Sequence, residues 1–374
     1  MTFKAAFKKY FIVVLFAAVL GILSLADILK PDSDFSPSEN RELKQFPAFS
    51  YRRLVEGDFG LDFEDYVNDQ FILRNLWINV KSVSEYVTGK LENNGVIYGK
   101  NGYMFEKVTS ADQNRIKKNV GYIKEFASDC GFDISFLLVP SSYNVLSEYM
   151  PKYADNIDQN PIIDDIFSQL SECGIKTVDV RDVLSENADK YIFYRTDHHW
   201  TNLGAQIAFA RFMDSFSEPM PDLSCYEIKN YGGFLGTYYN KCKLFSAVPD
   251  TISYYDFPVA SVTYDGETSS SLHNVDKFSD YDAYAGFIHG NNGITVISSD
   301  CPGASGSCLL IKDSYGNSFA PFLLTKYKTV VAVDLRYIPQ NLSEFMAANS
   351  FDKIIVLYSF SNFSTDINIA KITL

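Results

Sequence analysis

The sequence predicts an α/β fold in which a mostly parallel sheet is covered by helices on both faces. From residue 112 onwards, short runs rich in Val, Ile, Leu and Phe alternate with segments of helical periodicity. Some runs, such as Lys353–Tyr358, are apolar at nearly every position, which is typical of strands buried on both faces. Strands that alternate with helices in this way form parallel sheets between helical layers.

The N-terminus carries a candidate membrane anchor. Tyr10–Leu29 is uncharged up to Asp27 and is long enough for one helical crossing of a bilayer. Lysines precede this run and acidic residues follow it, which places the N-terminus inside and the rest of the chain outside. A cleavable signal peptide is the alternative, but the run is longer than the apolar region of a usual signal peptide and no clear A-x-A cleavage site follows it. We therefore expect residues 1–30 to form an uncleaved anchor and the remainder to lie at the cell surface.

Charge and cysteine content narrow the possible partners. The 374-residue chain has a net charge of −13, which argues against binding nucleic acid or an anionic membrane surface. Its six cysteines would lie where disulfides persist. The chain contains no C-x-x-C pair, so a zinc knuckle is not expected. The disulfide pairing is open: Cys301–Cys308, Cys225–Cys242 and Cys130–Cys173 are candidate pairs.

The part that follows the anchor is expected to begin irregularly. Residues 31–57 contain several prolines and indicate an extended stalk. Gly57–Lys90 has apolar residues at three- and four-residue spacing, which indicates one or two amphipathic helices. Two short β-like runs around Asn101-Gly102 predict a hairpin.

The remaining elements alternate regularly except in one region. Helices are predicted at Asp112–Asp129, from Asn160 to near Cys173, at Thr201–Phe216 with Thr201 as the cap, at Ser318–Leu324 and at Gln340–Asn349. Strands are predicted at Asp133–Val139, Lys176–Val180, Gly293–Ser298, Cys308–Lys312, Thr329–Asp334 and Lys353–Tyr358. Residues 217–290 are rich in Ser, Gly, Tyr and Asp with only short β-like runs, so we expect an irregular insertion there.

The segment FYRTDHHWTNLG, residues 193–204, is the strongest candidate for chemistry. It places Asp197, His198, His199 and Trp200 in succession, although the whole chain has only four histidines. Histidine is the side chain most easily tuned to transfer protons near neutral pH, and a nearby carboxylate orients it. The segment therefore predicts the base end of an active site.

Polar residues that follow predicted strands supply the other candidates. Ser314 follows Cys308–Lys312 and opens a helix, where backbone N–H groups stabilise developing negative charge. Arg336 and Asn362 follow later strands. Ligands bind beyond the carboxyl ends of such strands, so these residues are expected at one edge. Two of them have ordinary alternative roles: Ser314, like the preceding Asp313, fits a helix cap, and Arg336 fits a paired surface charge.

A metal site is the competing interpretation of the histidine pair. Asp197, His198 and His199 would supply ligands, with His273 or His289 as another. Consecutive histidines point in different directions, however, and the H-E-x-x-H spacing is absent. We therefore expect neither a metal nor another cofactor.

Several stretches together resemble the DHHW family. They are ENRELKQFP, FEDYVNDQF, NGVIYGKNGYMFE, TDHHWTNLGA and IKDSYGNSF. That family is similar to the alginate O-acetylation proteins of the SGNH-hydrolase-like superfamily. The resemblance runs from about residue 38 to the end and is weakest across 217–290; TDHHWT is its specific motif.

The resemblance implies an SGNH-hydrolase-like three-layer α/β/α sandwich over residues 58–374. It also implies that Asp197 and His199 are the acid and base of a triad and that Ser314 carries the acyl group. His198 stands at a variable position and is expected to support the site. Because acid and base precede the serine, the resemblance implies a circularly permuted order.

Further site residues are expected around the serine. Asn362 stands where SGNH enzymes place an oxyanion asparagine, although the usual G-x-N-D sequence is missing. Arg336 stands near the position of the superfamily's second-block glycine. Tyr315 is a further candidate oxyanion donor, and Trp200 is a candidate substrate contact or a core residue.

These features together favour an O-acetyltransferase that acts on an extracellular polysaccharide through an acyl-serine. The resemblance implies a membrane-bound O-acyltransferase partner that supplies acetyl groups. A carbohydrate acetyl-esterase is the alternative within enzymes. From another class, the alternative is a non-catalytic glycan-binding or assembly protein of the envelope.

Overall fold

A computed structural model describes residues 3–36, 41–131, 133–280, 282–338 and 342–373. The chain forms two units, Met1–Lys90 with Lys243–Phe245, and Leu91–Cys242 with Ser246–Leu374. All candidate site residues lie in the second unit.

The first unit is mainly helical. Its elements are α1 (Phe3–Leu29), β1 (Phe35–Ser36), β2 (Arg41–Glu42), α2 (Tyr51–Glu56), α3 (Asp58–Gln70) and α4 (Arg74–Val87). Two helices thus occupy most of the predicted amphipathic stretch. Tyr10–Leu29 within α1 is long and apolar enough to cross a membrane, with a mean hydropathy of 2.7. A signal sequence near the N-terminus has the same length and apolar character.

The segment predicted as an extended stalk is partly folded against the end of α3. The Gln70 side chain accepts a hydrogen bond from the Ser33 N–H (3.0 Å) and donates one to the Lys44 carbonyl (3.1 Å). The Asp69 carboxylate accepts a bond from the Lys44 N–H at 2.9 Å. Proline content indicates local stiffness, but it does not reveal that side chains from a later helix satisfy this backbone.

The second unit begins with a small antiparallel sheet of β3 (Glu92–Asn93), β4 (Val96–Tyr98) and β5 (Met104–Glu106). The turn between the last two strands is the predicted hairpin. Asn101 and Gly102 have φ angles of 57° and 77°, a region that asparagine and glycine tolerate.

The later strands form a ribbon and a large mixed sheet. They are β6 (Ile134–Val139), β7 (Lys176–Asp179), β8 (Ile228–Phe234), β9 (Asp250–Tyr255), β10 (Val259–Tyr264), β11 (Glu267–Ser269), β12 (Ile294–Ser299), β13 (Ser307–Lys312), β14 (Thr329–Val333) and β15 (Lys353–Ser359). The spatial order of the main sheet is β11-β10-β12-β14-β13-β15-β6-β7. The block from β14 to β7 is parallel, as predicted, whereas β12, β10 and β11 join in antiparallel pairs.

Helices cover both faces of the sheet. They are α5 (Gln113–Cys130), α6 (Ser142–Val145), α7 (Asn160–Ser171), α8 (Arg181–Ser185), α9 (Asn202–Asp214), α10 (Thr237–Cys242), α11 (Gly316–Leu323), α12 (Leu342–Ala348) and α13 (Phe360–Phe363). Neighbouring residues of β13 face opposite cores. Leu310 belongs to the core that includes Phe209 and Phe319, whereas Leu309 belongs to the core that includes Val120. The nearly continuous apolar strands follow from this two-sided burial.

The region 217–290 contributes more regular structure than its composition predicts. Strands β8 and β9 pair as a ribbon, and β10 and β11 extend the main sheet. Ile252 and Tyr254 of the ribbon join a separate core with Tyr284 and Phe287. The sequence signal is weak here because only one face of each strand is apolar.

The candidate disulfides are wrong among the described thiols. Cys173, Cys225, Cys301 and Cys308 are free, so neither Cys301–Cys308 nor Cys225–Cys242 is bridged. The Cys130 side chain lies outside the described part, and its candidate partner Cys173 is an exposed thiol. Spacing in the sequence does not report whether two cysteines approach with the geometry a disulfide needs.

Candidate active site

Asp197, His199 and Ser314 form one hydrogen-bonded chain. His199 Nε2 lies 2.7 Å from Ser314 Oγ, and His199 Nδ1 lies 2.6 Å from Asp197 Oδ1. All three side chains are nearly buried, at 1%, 5% and 6% exposure in chain order. The imidazole can therefore accept the serine proton on one side while the carboxylate holds it on the other.

Local structure holds the turn that carries the acid and base. Phe193 and Trp200 form an isolated antiparallel bridge on either side of it. Thr201 caps α9 by accepting the Gly204 N–H at 3.3 Å. A Cβ at Gly204 would lie 2.3 Å from the Ile192 carbonyl oxygen, so the glycine permits α9 to pack closely on this turn.

The region 217–290 holds the Asp197 carboxylate from its second side. Oδ2 accepts the Thr237 N–H at 2.8 Å, and Oδ1 accepts the His199 N–H at 2.9 Å. Gly236 approaches so closely that a Cβ there would lie 2.4 Å from Oδ2. Burial alone would raise the pKa of Asp197, but the adjacent His198 and His199 and the Thr237 N–H outweigh it and lower the pKa. The carboxylate is therefore ionised at neutral pH.

Ser314 lies where β13 ends and α11 begins, and the preceding Asp313 fixes this turn. The buried Asp313 carboxylate accepts the Tyr315 N–H at 2.9 Å through Oδ1. Its Oδ2 accepts the Ser359 N–H and the Asn362 Nδ2, both at 2.8 Å. Asp313 thus joins the serine turn to the end of β15, a role that exceeds the helix cap the sequence indicates.

An aromatic ring from the 217–290 region covers the histidine. The Tyr284 ring stacks on His199 with centroids 3.6 Å apart and an interplanar angle of 6°. Ser318 Oγ lies 2.9 Å from the Tyr284 hydroxyl and accepts the Trp200 Nε1–H at 2.8 Å. Trp200 is fully buried, so in this structure it is a core residue that supports the site.

His198 and Tyr315, two further neighbours of His199, form hydrogen bonds within the chain. His198 Nδ1 lies 2.8 Å from Thr237 Oγ1, and the side chain is about one third exposed. Burial and the nearby His199 lower the pKa of His198, which favours the neutral ring at pH 7. The Tyr315 hydroxyl donates to the His198 carbonyl oxygen. Both Tyr315 donors are therefore bound within the chain, and neither is directed at an oxyanion in this structure.

A cluster of charges lies beyond the serine turn. Arg336 binds Asp334 through Nε (2.9 Å) and Nη2 (2.7 Å). The buried Lys312 Nζ lies 3.7 Å from Asp334 Oδ2 and has no hydrogen-bond partner among the described residues. Burial lowers the pKa of Lys312 to about 8, although the Asp334 carboxylate opposes the shift. Arg336 is thus a paired charge, as its ordinary role predicts, and its Nη1 donates to no described side chain.

Several donor atoms of the competing metal site already form hydrogen bonds. Donor atoms of Asp197, His198 and His199 lie within 4.8 Å of one another, close enough to hold an ion. His199 Nε2 and His198 Nδ1 contact serine and threonine hydroxyls instead. His273 is buried among aromatic rings, and His289 Nε2 lies 2.9 Å from the Ser271 carbonyl oxygen. The arrangement favours proton transfer over ligation.

A cleft of about 470 Å³ lies between the start of α9 and the outer face of the β8–β9 ribbon. No charged residue lines it, and its walls include two tyrosines and several amide and hydroxyl groups: Tyr191, Asn202, Gln206, Asn230, Thr251 and Tyr255. Within the described residues, the amide nitrogens of Gln206 and Asn230 donate no hydrogen bond. Uncharged donors beside aromatic rings suit a neutral polyhydroxyl ligand.

The chain is similar to DHHW-family proteins and to probable alginate O-acetylases. The chain matches the DHHW protein family over residues 136–333, which is more than half of its 374 residues. It is 21% identical over 183 residues to the probable alginate O-acetylase AlgJ of Pseudomonas putida, a match covering 47% of this chain and 48% of the relative. The chain spans about half the length of the curated relatives it matches.

Two solved structures share the fold. A DHHW family protein from Eubacterium siraeum is 23% identical and superposes with a TM-score of 0.62, covering 75% of this chain and 95% of that protein. PatB1 of Bacillus cereus is 20% identical with a TM-score of 0.58, covering 72% and 97%. The match over 136–333 includes the Asp197–Trp200 turn and Ser314. The chain therefore belongs to the DHHW family.

Proposed function

We propose that this protein is an O-acetyltransferase of the cell envelope that modifies a polysaccharide through an acyl-serine. The observation that carries the proposal is the 2.7 Å contact between His199 Nε2 and Ser314 Oγ. A serine beside a base that is itself oriented by a carboxylate is the arrangement of an activated nucleophile. The alginate O-acetylase relatives support acetyl transfer as the reaction.

In the proposed first half-reaction, Ser314 Oγ attacks the carbonyl carbon of an acetyl donor while His199 Nε2 takes the hydroxyl proton. Asp197 stabilises the resulting imidazolium through Nδ1. The tetrahedral intermediate then collapses: the bond to the donor's leaving group breaks, and His199 returns the proton to that group. An acetyl ester of Ser314 remains.

In the second half-reaction, a sugar hydroxyl attacks the acetyl-serine and His199 accepts its proton. The ester bond to Ser314 breaks, the acetyl group passes to the sugar, and the serine recovers its proton from His199. With water as the acceptor, the same steps would make the protein a carbohydrate acetyl-esterase. Tyr284 would hold the imidazole plane through both halves.

The oxyanion is proposed to lie beside Ser314 at the start of α11, where the helix dipole favours negative charge. The Tyr315, Gly316 and Asn317 N–H groups already donate within this turn. Asn362 Nδ2 donates one hydrogen bond, to Asp313, among the described residues, and its second hydrogen has no acceptor there. Arg336 Nη1 is the other candidate donor. Tyr315 is proposed to position the turn because its N–H and hydroxyl are already bound.

The same proposal extends to the domain, its anchor, the source of the acetyl groups and the place of the acceptor. Residues 58–374 would form an SGNH-hydrolase-like domain in permuted order, because Asp197 and His199 precede Ser314 in the chain. Residues 1–30 would anchor it outside the cytoplasm, and a membrane-bound O-acyltransferase would supply the acetyl groups. The uncharged cleft beside α9 is the proposed place for a neutral segment of the acceptor polysaccharide.

An acetyl-ester assay with and without polysaccharide tests the function. Transfer to the polymer supports the acetyltransferase, whereas hydrolysis alone supports the esterase. Inactivity in both with glycan retention in a pull-down supports a binding protein. Ser314→Ala should lower turnover by about 10⁴-fold or more. Ser305→Ala, at an exposed serine in the loop before β13, is the matched control and should leave turnover unchanged.

A further inference from the structure

Residues 46–87 of the first unit expose many large apolar side chains. Nine of them are more than half exposed: Phe46, Phe49, Tyr51, Val55, Leu61, Leu73, Leu76, Val80 and Val87. Single exposed apolar residues are normal on a protein surface, but a concentration of aromatic and aliphatic side chains in one short segment marks an interaction surface.

The clearest part of this surface is α4. Leu76, Trp77, Val80 and Val87 recur at helical spacing and therefore share one face. All four are exposed, from 44% at Trp77 to 75% at Val87, and so is Leu73, the residue before the helix. A helix on a water-soluble protein turns its apolar face inward, so the outward stripe of α4 requires an apolar partner.

Hydrogen bonds tie the end of α3 and the turn before α4 to the last turn of the apolar helix α1 and to Lys30, the residue after it. Asp27 Oδ1 accepts the Ile72 N–H at 2.8 Å, and Lys30 Nζ donates to the Gln70 carbonyl at 3.0 Å. The turn between α3 and α4 is thus fixed to the last residues of the candidate membrane span, Tyr10–Leu29. The start of α4 lies at the level where that span would leave the bilayer.

We propose that the outward stripe of α4, together with the exposed aromatic residues from Phe46 to Phe63, lies in the interfacial layer of a lipid bilayer. The inference rests on the proposal that α1 is a membrane anchor. Trp, Tyr and Phe favour this layer because their rings are apolar and their edges polar, and amphipathic helices lie there with the apolar face in lipid.

The charge of the segment selects the kind of lipid. Residues 46–87 contain seven acidic and four basic side chains, and the helix α3 within them carries five acidic residues and no basic one. Acidic side chains near the surface repel anionic headgroups. The membrane contact is therefore apolar and suited to zwitterionic phospholipid.

Tryptophan fluorescence of the full chain tests the contact directly. The chain has only two tryptophans, and Trp200 is fully buried in the second unit, where it serves as an internal reference. The full-length protein is reconstituted into phosphatidylcholine vesicles, with or without bromine near the glycerol end of the acyl chains. Brominated lipid is expected to quench the Trp77 emission and spare that of Trp200, and Trp77→Phe should remove the quenching.

A pair of charge substitutions adds a matched control. Val80→Glu places a charge on the outward stripe and should reduce the quenching of Trp77. Asn79→Glu, at an exposed position off the stripe, should leave it unchanged. Equal effects would contradict the assigned orientation.

The failures of the two linked proposals are distinguishable. Protein that floats with the vesicles but shows no quenching by brominated lipid overturns the interfacial contact and leaves the anchor; a protein partner would then cover α4. Protein that does not float with vesicles overturns the anchor itself, and the interfacial contact with it.

Discussion

Replacing Gly236 with alanine should slow the reaction without removing any proposed catalytic group. A Cβ at this position would lie 2.3 Å from Asp197 Cβ and 2.4 Å from Asp197 Oδ2. The adjacent Thr237 N–H holds the same oxygen at 2.8 Å, so the backbone cannot withdraw without losing this bond. The new methyl group would therefore push the carboxylate away from His199 Nδ1.

The size of the effect follows from the distances. Ordinary contact with a Cβ begins at 3.4 Å, so Asp197 must move by roughly 1 Å. Misplacement on this scale lowers a rate by about 10²-fold, or about 2.7 kcal/mol of barrier. Loss of the acid altogether lowers it by about 10⁴-fold, which sets the upper limit. The added methyl should also lower the free energy of unfolding by about 1–3 kcal/mol.

The assay is kcat on a chromogenic acetyl ester and on transfer to polysaccharide, with the melting temperature measured in parallel. Gly232→Ala is the matched control, because a Cβ there would meet its nearest atom, Thr251 Oγ1, only at 4.0 Å. It should retain activity. If Gly236→Ala folds and is as active as this control, the position of the Asp197 carboxylate does not govern the rate.

Three further changes test neighbouring parts of the structure. Lys312→Met should abolish a pH-dependent gain in stability. The pKa of Lys312 is about 8 in the folded state and about 10.4 in the unfolded state, so between pH 8 and pH 10.4 the folded state binds fewer protons than the unfolded state. The unfolding free energy of the wild type, measured in denaturant, should therefore rise with pH across this window by up to about 1.4 kcal/mol per unit relative to the variant; parallel curves would contradict the shift. Tyr284→Leu removes the ring stacked on His199 and should lower kcat by up to about tenfold, whereas Tyr284→Phe keeps the ring and should retain most activity; equal losses would assign the effect to the hydroxyl. Thr251→Trp fills the uncharged cleft and should raise KM for polysaccharide but not for a small ester. An unchanged KM for polysaccharide would show that the cleft is not part of the acceptor site. Thr263→Trp, at an exposed strand position outside the cleft, is the control.

The residues of the hydrogen-bonded chain could be predicted from sequence because their signals are local. Asp197 and His199 are two positions apart in a segment that also contains the cap of the next helix. Ser314 follows a strongly apolar strand, and the parallel sheet brings the end of that strand to the ligand-binding edge. Local pattern and sheet topology therefore agree for these three.

The support of this chain could not be predicted, because it comes from distant segments without a strong pattern. Gly236 and Tyr284 lie in the region 217–290, where strands are apolar on one face only. A glycine required for close approach has the same sequence signature as a glycine in a turn. Its function becomes visible only when the Asp197 side chain is placed against it.

Residues with several plausible roles show the same limit. Asp313 carries the signature of a helix cap, but its carboxylate also binds β15 through Ser359 and Asn362. From the sequence, Tyr315 is a candidate oxyanion donor, and Trp200 is a candidate substrate contact or a core residue. Their polar atoms instead form hydrogen bonds within the chain, which satisfies buried groups that water cannot reach.

Covalent trapping is the most direct test of Ser314 as the nucleophile. The protein is treated with phenylmethylsulfonyl fluoride, and the adduct is located by peptide mass spectrometry. We expect modification at Ser314, and much slower modification in His199→Gln, because the serine is reactive only when the imidazole takes its proton. An unmodified Ser314, or equal labelling in the two proteins, would contradict this assignment.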